Sequence, residues 1–197
     1  MFFRSPPWDS VVYWSLDLET GGLDTKTSPI LAVGMVPVRG GMIRLRESYR
    51  TLVRPEQGGL IAPVSVQAHQ LVWREVREAP PLGDVLPEID RRLREGVLLV
   101  HGAEIDVAFL RRDFGRMDVT WPSPRIVDTM RLLVRNAQLK DPCLSRDVLA
   151  LNLSLARAEY GLPEYQAHDA LADAVATAEL FLAVRMALGA RTLRDLR

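Results

Sequence analysis

The chain has 197 residues, 48% of them hydrophobic, and 25 basic residues balance 25 acidic ones to a formal net charge of zero. That length buries a real core and suits one compact domain, while zero net charge excludes a global positive field for holding a polyanion, so any nucleic-acid contact must be local. The single cysteine, Cys143, excludes an internal disulfide and any multi-cysteine metal site, and it fits a reducing compartment, so the cytoplasm is expected.

The N-terminal "MFFRSPPWDS" lacks the apolar run of a signal peptide, and "AVATAELFLAVRMALGA" is interrupted by Glu179 and Arg185, so no membrane contact is expected. "VVYWSLDLE", "SPILAVGMVPV" and "MIRLRESYRTLVRP" then read as three strands joined by short turns, an antiparallel meander. Pro37 near the end of the second run is tolerable only away from a central ladder. "PVSVQAHQLVWREV" carries a short helical pattern, and Val85, Leu86, Ile89 and Leu93 recur at helical spacing up to a stop at Gly96. "VLLVHG" has the continuous apolar character of a strand buried on both faces, and "DVAFLRRDFGRM" follows as a helix. "RIVDTMRLL" begins as a strand, "LSRDVLALNLSLARAEYG" is an amphipathic helix ending at Gly161, and "HDALADAVATAELFLAVRMALG" is the last long helix. This order predicts an α/β fold with one mixed sheet covered by helices, and a single domain over residues 1–197 with its core at about 11–190.

Acids interrupt this pattern in three places. Residues two apart on a strand share a face, so Asp17 and Glu19 in "WSLDLETGG" project together, away from Leu16 and Leu18. An isolated pair of this kind suits a solvated strand end, but paired carboxylates are also how hard divalent cations are held. Thr20, Gly21 and Gly22 follow, where backbone can approach a bound phosphate or base. In "VHGAEIDVAFL" Asp106 opens a helix beyond His101, with Glu104 as a competitor for its role and helix capping as the plainer explanation. In "EYQAHDALADA" His168 and Asp169 open a helix, and Asp173 has Ala170 and Thr177 one turn away, so no intrahelical salt bridge accounts for it.

Together, D-x-E on the first strand, H-G-A-E-I-D-x-x-F-L, and H-x-A-x-x-D in the last helix resemble the three motifs of the DnaQ-like, or DEDDh, 3′–5′ exonucleases, from about Val12 to about Leu182. The resemblance implies a ribonuclease H-like fold, a five-stranded mixed sheet whose first three strands are antiparallel. It also implies two divalent ions, Mg²⁺ or Mn²⁺, with Asp17, Glu19 and Asp173 as direct ligands, Asp106 supporting the second ion, and His168 as general base. Thr20, Gly21, His69, Leu71, His101 and Phe109 are the implied substrate contacts, and Asp128 is read as a helix cap. One departure is visible: Gly102 stands where an Asn commonly follows the His, which bears on substrate contacts. Arg111, Arg112, Arg116, Arg135 and Lys140 are candidates for phosphate contacts, with a solvated helix face as the plainer reading.

The expected activity is hydrolysis of single-stranded DNA or RNA from 3′ ends to nucleoside 5′-monophosphates, in trimming, repair or polymerase proofreading. A DNA polymerase is then a further expected partner. Only about fifteen residues follow Leu182, which favours a stand-alone nuclease over a polymerase subunit. The alternative is a catalytically silent ribonuclease H-like binding module, which would be expected to lack one of the acids.

Overall fold

Alternation along the first strand sets both cores. The computed structural model describes residues 5–56 and 73–196, and β1 (Tyr13–Thr20) is its central strand. Trp14, Leu16 and Leu18 enter one hydrophobic cluster, while Tyr13 enters a second on the opposite face. Ser15, Asp17 and Glu19 share Tyr13's face by the two-residue period.

The other strands are β2 (Ile30–Arg39), β3 (Met42–Ile43), β4 (Tyr49–Leu52), β5 (Val97–Val100) and β6 (Ile126–Asp128). They form one sheet in the order β3-β2-β1-β5-β6, with β4 also against β2. β2 runs antiparallel to β1, β3 and β4, whereas β5 and β6 are parallel to β1. The mixed ribonuclease H-like sheet is therefore present.

The expected third strand is broken in two. β3 and β4 flank a 3₁₀ turn at Leu45–Glu47, and the break falls opposite Pro37. The Pro37 carbonyl accepts the Arg44 N–H at 2.9 Å. In an extended strand a residue's N–H points the same way as its carbonyl, so the donor that proline lacks is missing on the side where the third strand would pair.

Among the described residues six helices accompany the sheet: α1 (Trp73–Arg77), α2 (Leu82–Glu95), α3 (Ala103–Arg116), α4 (Thr129–Lys140), α5 (Leu153–Glu159) and α6 (Ala170–Ala187). α2 and α3 bury Val85, Leu86, Ile89, Phe109, Leu110 and Phe114 against the Trp14 face. α4, α5 and α6 cover the other face with Leu132, Leu133, Ala156, Ala174, Phe181 and Val184. The helix expected across residues 144–160 is shorter than its pattern. A 3₁₀ turn spans Arg146–Val148, and α5 starts only after Asn152, whose side chain caps Ser154 and Leu155 N–H groups. An Asn that satisfies two orphan donors makes a helix start more favourable there than continuation through it. The helical pattern before Trp73, including His69 and Leu71, lies outside the described residues. Among the described residues no helix is long and apolar enough to cross a membrane.

Candidate active site

The acids gather toward the C-terminal ends of the parallel strands, the usual place for a site in an open α/β sheet: Asp17 and Glu19 lie on β1 beyond its pairing with β5, and Asp106 lies in the first turn of the helix that follows β5. A register irregularity between Glu19 and Thr20 precedes the last pair of the β1–β2 ladder, the kind of distortion that re-aims side chains beside a site.

α6 reaches β1 because of one glycine. Gly34 lies opposite Asp17 in the β1–β2 register. A Cβ there would lie 2.1 Å from the Ala170 carbonyl carbon and oxygen and 2.3 Å from the Leu171 nitrogen, so the helix start rests directly on the strand backbone. Ser15 donates its hydroxyl to the Ala174 carbonyl at 2.7 Å in a buried bond, a second clamp between β1 and α6. Asp169 caps the helix by accepting the Leu171 and Ala172 N–H groups, and its other oxygen pairs with Arg50 of β4 at 2.6 Å.

This docking brings the first and third motifs together. One carboxylate oxygen from each of Asp17, Glu19 and Asp173 lies within 4.8 Å of the others. Asp106, in the first turn of α3, is buried and stands outside that three-oxygen group. Among the neighbouring acids it nevertheless acts most strongly on Asp17. Four acids thus converge with no arginine or lysine paired to any of the four among the described residues.

The electrostatic cost is visible in their protonation. Burial first, then Asp106, Asp173, Glu19 and Asp169, push the Asp17 carboxyl well above the usual carboxylate range. Burial, Asp173 and Asp169 raise Glu19 to about 7. Burial and Asp128 raise Asp106 to about 7, against backbone hydrogen bonds that favour its ionised form. An all-oxygen donor set that resists ionising on its own fits a hard divalent cation, which supplies the missing positive charge.

This has a pH consequence for the metal-free protein. A carboxyl whose value in the fold exceeds its unfolded value, near 4.5 for Glu19, binds protons more readily in the fold. Its contribution is full below the unfolded value and is lost as pH rises through the folded one. In EDTA the melting temperature should therefore fall between about pH 5 and about pH 8, and saturating Mn²⁺ should remove that fall by binding only the folded protein. Differential scanning fluorimetry reads both, and a melting temperature in EDTA that rises over this range would contradict the picture of repelling acids.

His168 sits on the loop before α6 with φ of 66°, one of three non-glycine residues with positive φ among those described. Such a conformation is uncommon for a residue with a Cβ. It is held by the His168 N–H, which donates to the Asp173 carboxylate at 2.8 Å. His168 is exposed. Tyr165, unremarked in the sequence pattern, donates its hydroxyl to the other Asp173 oxygen.

The remaining expectations resolve differently. Both His101 ring nitrogens are taken, one by the Thr129 hydroxyl and one by the Leu151 carbonyl, each at 2.7 Å, and burial lowers its pKa. It ties β5, α4 and the segment before α5 together, leaving no ring nitrogen free for substrate. Phe109 is 0% exposed, within the core below Arg112, so the substrate contact expected of it is not open to it. The Thr20 hydroxyl donates to the Gly22 carbonyl, and the Gly21 N–H to Pro29; both close the β1–β2 turn.

Gly102 has its own reason. Its φ is 91°, and a Cβ would lie 3.0 Å from the Met130 sulfur, so an asparagine is disfavoured by crowding. Asp128 caps α4 through Met130 N–H as expected, and also accepts the Gly102 and Ala103 N–H groups at 3.0 and 3.1 Å, fixing the helix start that carries Asp106. Among the candidate phosphate contacts, Arg112 pairs with Asp113 and donates to the Thr25 and Ser28 carbonyls. Arg116 pairs with Glu56, and Arg135 donates to Asp195. Arg111 lies over the Trp121 ring, and Lys140 is exposed in the last turn of α4.

Fold and acids together define a nuclease of the ribonuclease H-like superfamily. The exonuclease family model, RNase T, matches residues 15–181, and the chain belongs to that DnaQ-like exonuclease family. A Mycobacterium tuberculosis protein named as a bifunctional exonuclease/endonuclease is 34% identical over 166 residues, covering 84% of this chain and 24% of that protein. The PolC-type DNA polymerase III of Thermotoga maritima is 31% identical over 168 residues, 85% of this chain and 11% of that one. The DNA polymerase III subunit epsilon of Treponema pallidum is 29% identical over 175 residues, covering 88% and 76%. The chain thus spans a quarter or less of the first two relatives. In fold it is similar to E. coli exonuclease I in complex with a dA16 oligonucleotide, with a TM-score of 0.77 at 18% identity over 91% of this chain and 42% of that one.

Proposed function

We propose that the protein is a metal-dependent 3′–5′ exonuclease that removes nucleoside 5′-monophosphates from single-stranded DNA or RNA ends. The observation that carries this reading is the approach of Asp17, Glu19 and Asp173 to within 4.8 Å of one another, with Asp106 beside them and an exposed histidine at the rim. In it Asp17, Glu19 and Asp173 hold cations directly, and Asp106 supports a second one. Two Mg²⁺ or Mn²⁺ ions would offset the charge developing on the attacking and leaving oxygens of an in-line displacement.

The chain's own residues do the rest. His168 takes the proton of the attacking water as the oxygen–phosphorus bond forms and the bond to the leaving 3′ oxygen breaks. Its exposed position suits exchange of that proton with solvent. The names of the relatives place similar chains in DNA polymerase III, which supports proofreading as one use and a polymerase as one partner; free-standing trimming or repair needs the same chemistry. No acid is missing, so nothing favours a silent binding module. The lone cysteine supports a cytoplasmic location.

Matched DNA and RNA single strands, labelled at the 5′ end and incubated with Mn²⁺ or Mg²⁺, test the reading. Stepwise shortening from the 3′ end is expected, abolished by EDTA, and His168→Ala should lower kcat by about 10²- to 10⁴-fold. Cleavage that begins internally, or shortening that persists in EDTA, would refute it.

A further inference from the structure

We propose that Tyr165 is a positioning residue that fixes the carboxylate of Asp173 for cation binding. The inference rests on the reading of Asp173 as a metal ligand and concerns what holds that ligand in place.

Asp173 projects from the first turn of α6 with both oxygens engaged. One accepts the Tyr165 hydroxyl and the other the His168 N–H. A carboxylate oxygen has two lone-pair sites, so one hydrogen bond on each still leaves an acceptor site on each for a cation. Two donors on opposite oxygens lock rotation of the group, and hydrogen-bond partners of this kind tune how well a ligand binds its metal. Tyr165 and the histidine loop thus converge on one side chain: the segment that presents His168 is tethered to the metal ligand at both ends of its carboxylate.

Tyr165 is itself held. Arg157 of α5, 2% exposed, places its guanidinium 4.8 Å from the Tyr165 ring centre. The same guanidinium donates to the Ala176 carbonyl, to Glu179 and to the Pro163 carbonyl. One buried cation therefore ties α5, α6 and the 161–169 segment into a frame, and the tyrosine stacks on that frame with its hydroxyl directed at Asp173. A tyrosine serving only to fill space would not need its hydroxyl on the one helix carboxylate that faces Asp17 and Glu19.

Tyr165→Phe removes the hydroxyl and keeps the ring for Arg157. Mn²⁺ binding, followed by the electron paramagnetic resonance of free Mn²⁺ without substrate, should show affinity about 10- to 100-fold weaker than in the unaltered protein. Asp173→Asn should also weaken binding, and adding Tyr165→Phe to it should cause no further loss, since the hydroxyl acts through the carboxylate. In digestion assays the Mn²⁺ concentration for half-maximal activity should rise by a larger factor than kcat falls. Equal Mn²⁺ affinity in Tyr165→Phe and the unaltered protein would overturn the proposal and leave the metal reading intact. An unaltered protein that binds no Mn²⁺ would overturn both. Circular dichroism and melting of each variant separate these outcomes from misfolding, and additive losses in the double variant would also count against the proposal.

Discussion

Asp17→Asn should abolish nuclease activity while making the metal-free protein more stable. Asparagine keeps the size of the side chain and removes its charge, so the ligand proposed for the cation is lost and kcat/KM should drop by at least about 10³-fold, about 4 kcal/mol of transition-state stabilisation. The stability change has the opposite sign. Asp17 is pushed upward by burial and by four neighbouring acids, and removing its charge relieves repulsion that no ion-pair partner among the described residues offsets. Thermal melting in EDTA at neutral pH should thus rise in the variant, and the gain of melting temperature on adding Mn²⁺ should shrink. A variant less stable than the unaltered protein in EDTA would mean that Asp17 has a structural partner and that repulsion is not the dominant force at the site.

Gly34→Ala should damage both fold and site. The added carbon would meet helix backbone at 2.1 Å, and backbone cannot swing aside as the end of a side chain can. Overpacking of this kind costs about 3 kcal/mol, which for a domain of this size lowers the melting temperature by roughly 6–12 °C. Activity should fall further than stability alone explains, because the start of α6 carries His168, Asp169 and Asp173, and lifting it from β2 moves the third motif away from Asp17. Gly115→Ala is the matched control. No atom lies within 4 Å of the carbon it would add, and it stands in α3, so it should be neutral or stabilising by up to about 1 kcal/mol. Chemical denaturation of the two variants, with Mn²⁺ affinity measured on each, checks the contrast; equal effects would mean that the close approach at Gly34 does not constrain the helix.

The acids were legible in the sequence because their signal is local. Asp17 and Glu19 interrupt a strand at its own two-residue period, and Asp173 interrupts a run of alanines that permits close helix packing. The supports were not, because each exists only through a long-range contact. Gly34 reads as a weak point in "ILAVGMVPV" until α6 is seen lying on it, and a glycine inside an apolar strand was the one available hint. Tyr165, Arg157 and Arg50 are ordinary residues whose meaning comes from Asp173, α6 and Asp169.

The departures from expectation have the same origin. The third strand breaks opposite Pro37 of the neighbouring strand, whose effect appears only once the two strands are paired. His101 and Phe109 lie near motif acids in sequence, yet the fold points the first into a hydrogen-bonded tie and the second into the core. Arg112, one residue before Asp113, anchors the β1–β2 turn through Thr25 and Ser28 where a phosphate contact was considered. Residue types announced the chemistry, and topology decided which of them meet.

In the proposed mechanism Asp17, Glu19 and Asp173 hold the cation on which hydrolysis depends. Anomalous diffraction from crystals grown with Mn²⁺ and a nucleoside 5′-monophosphate locates that ion directly. An anomalous peak is expected between these three carboxylates, with oxygen ligands at about the distances usual for hard divalent cations, 2.0–2.6 Å, and the peak should be lost in Asp17→Asn. Mn²⁺ bound elsewhere, with these three acids unligated in crystals of active protein, would contradict it.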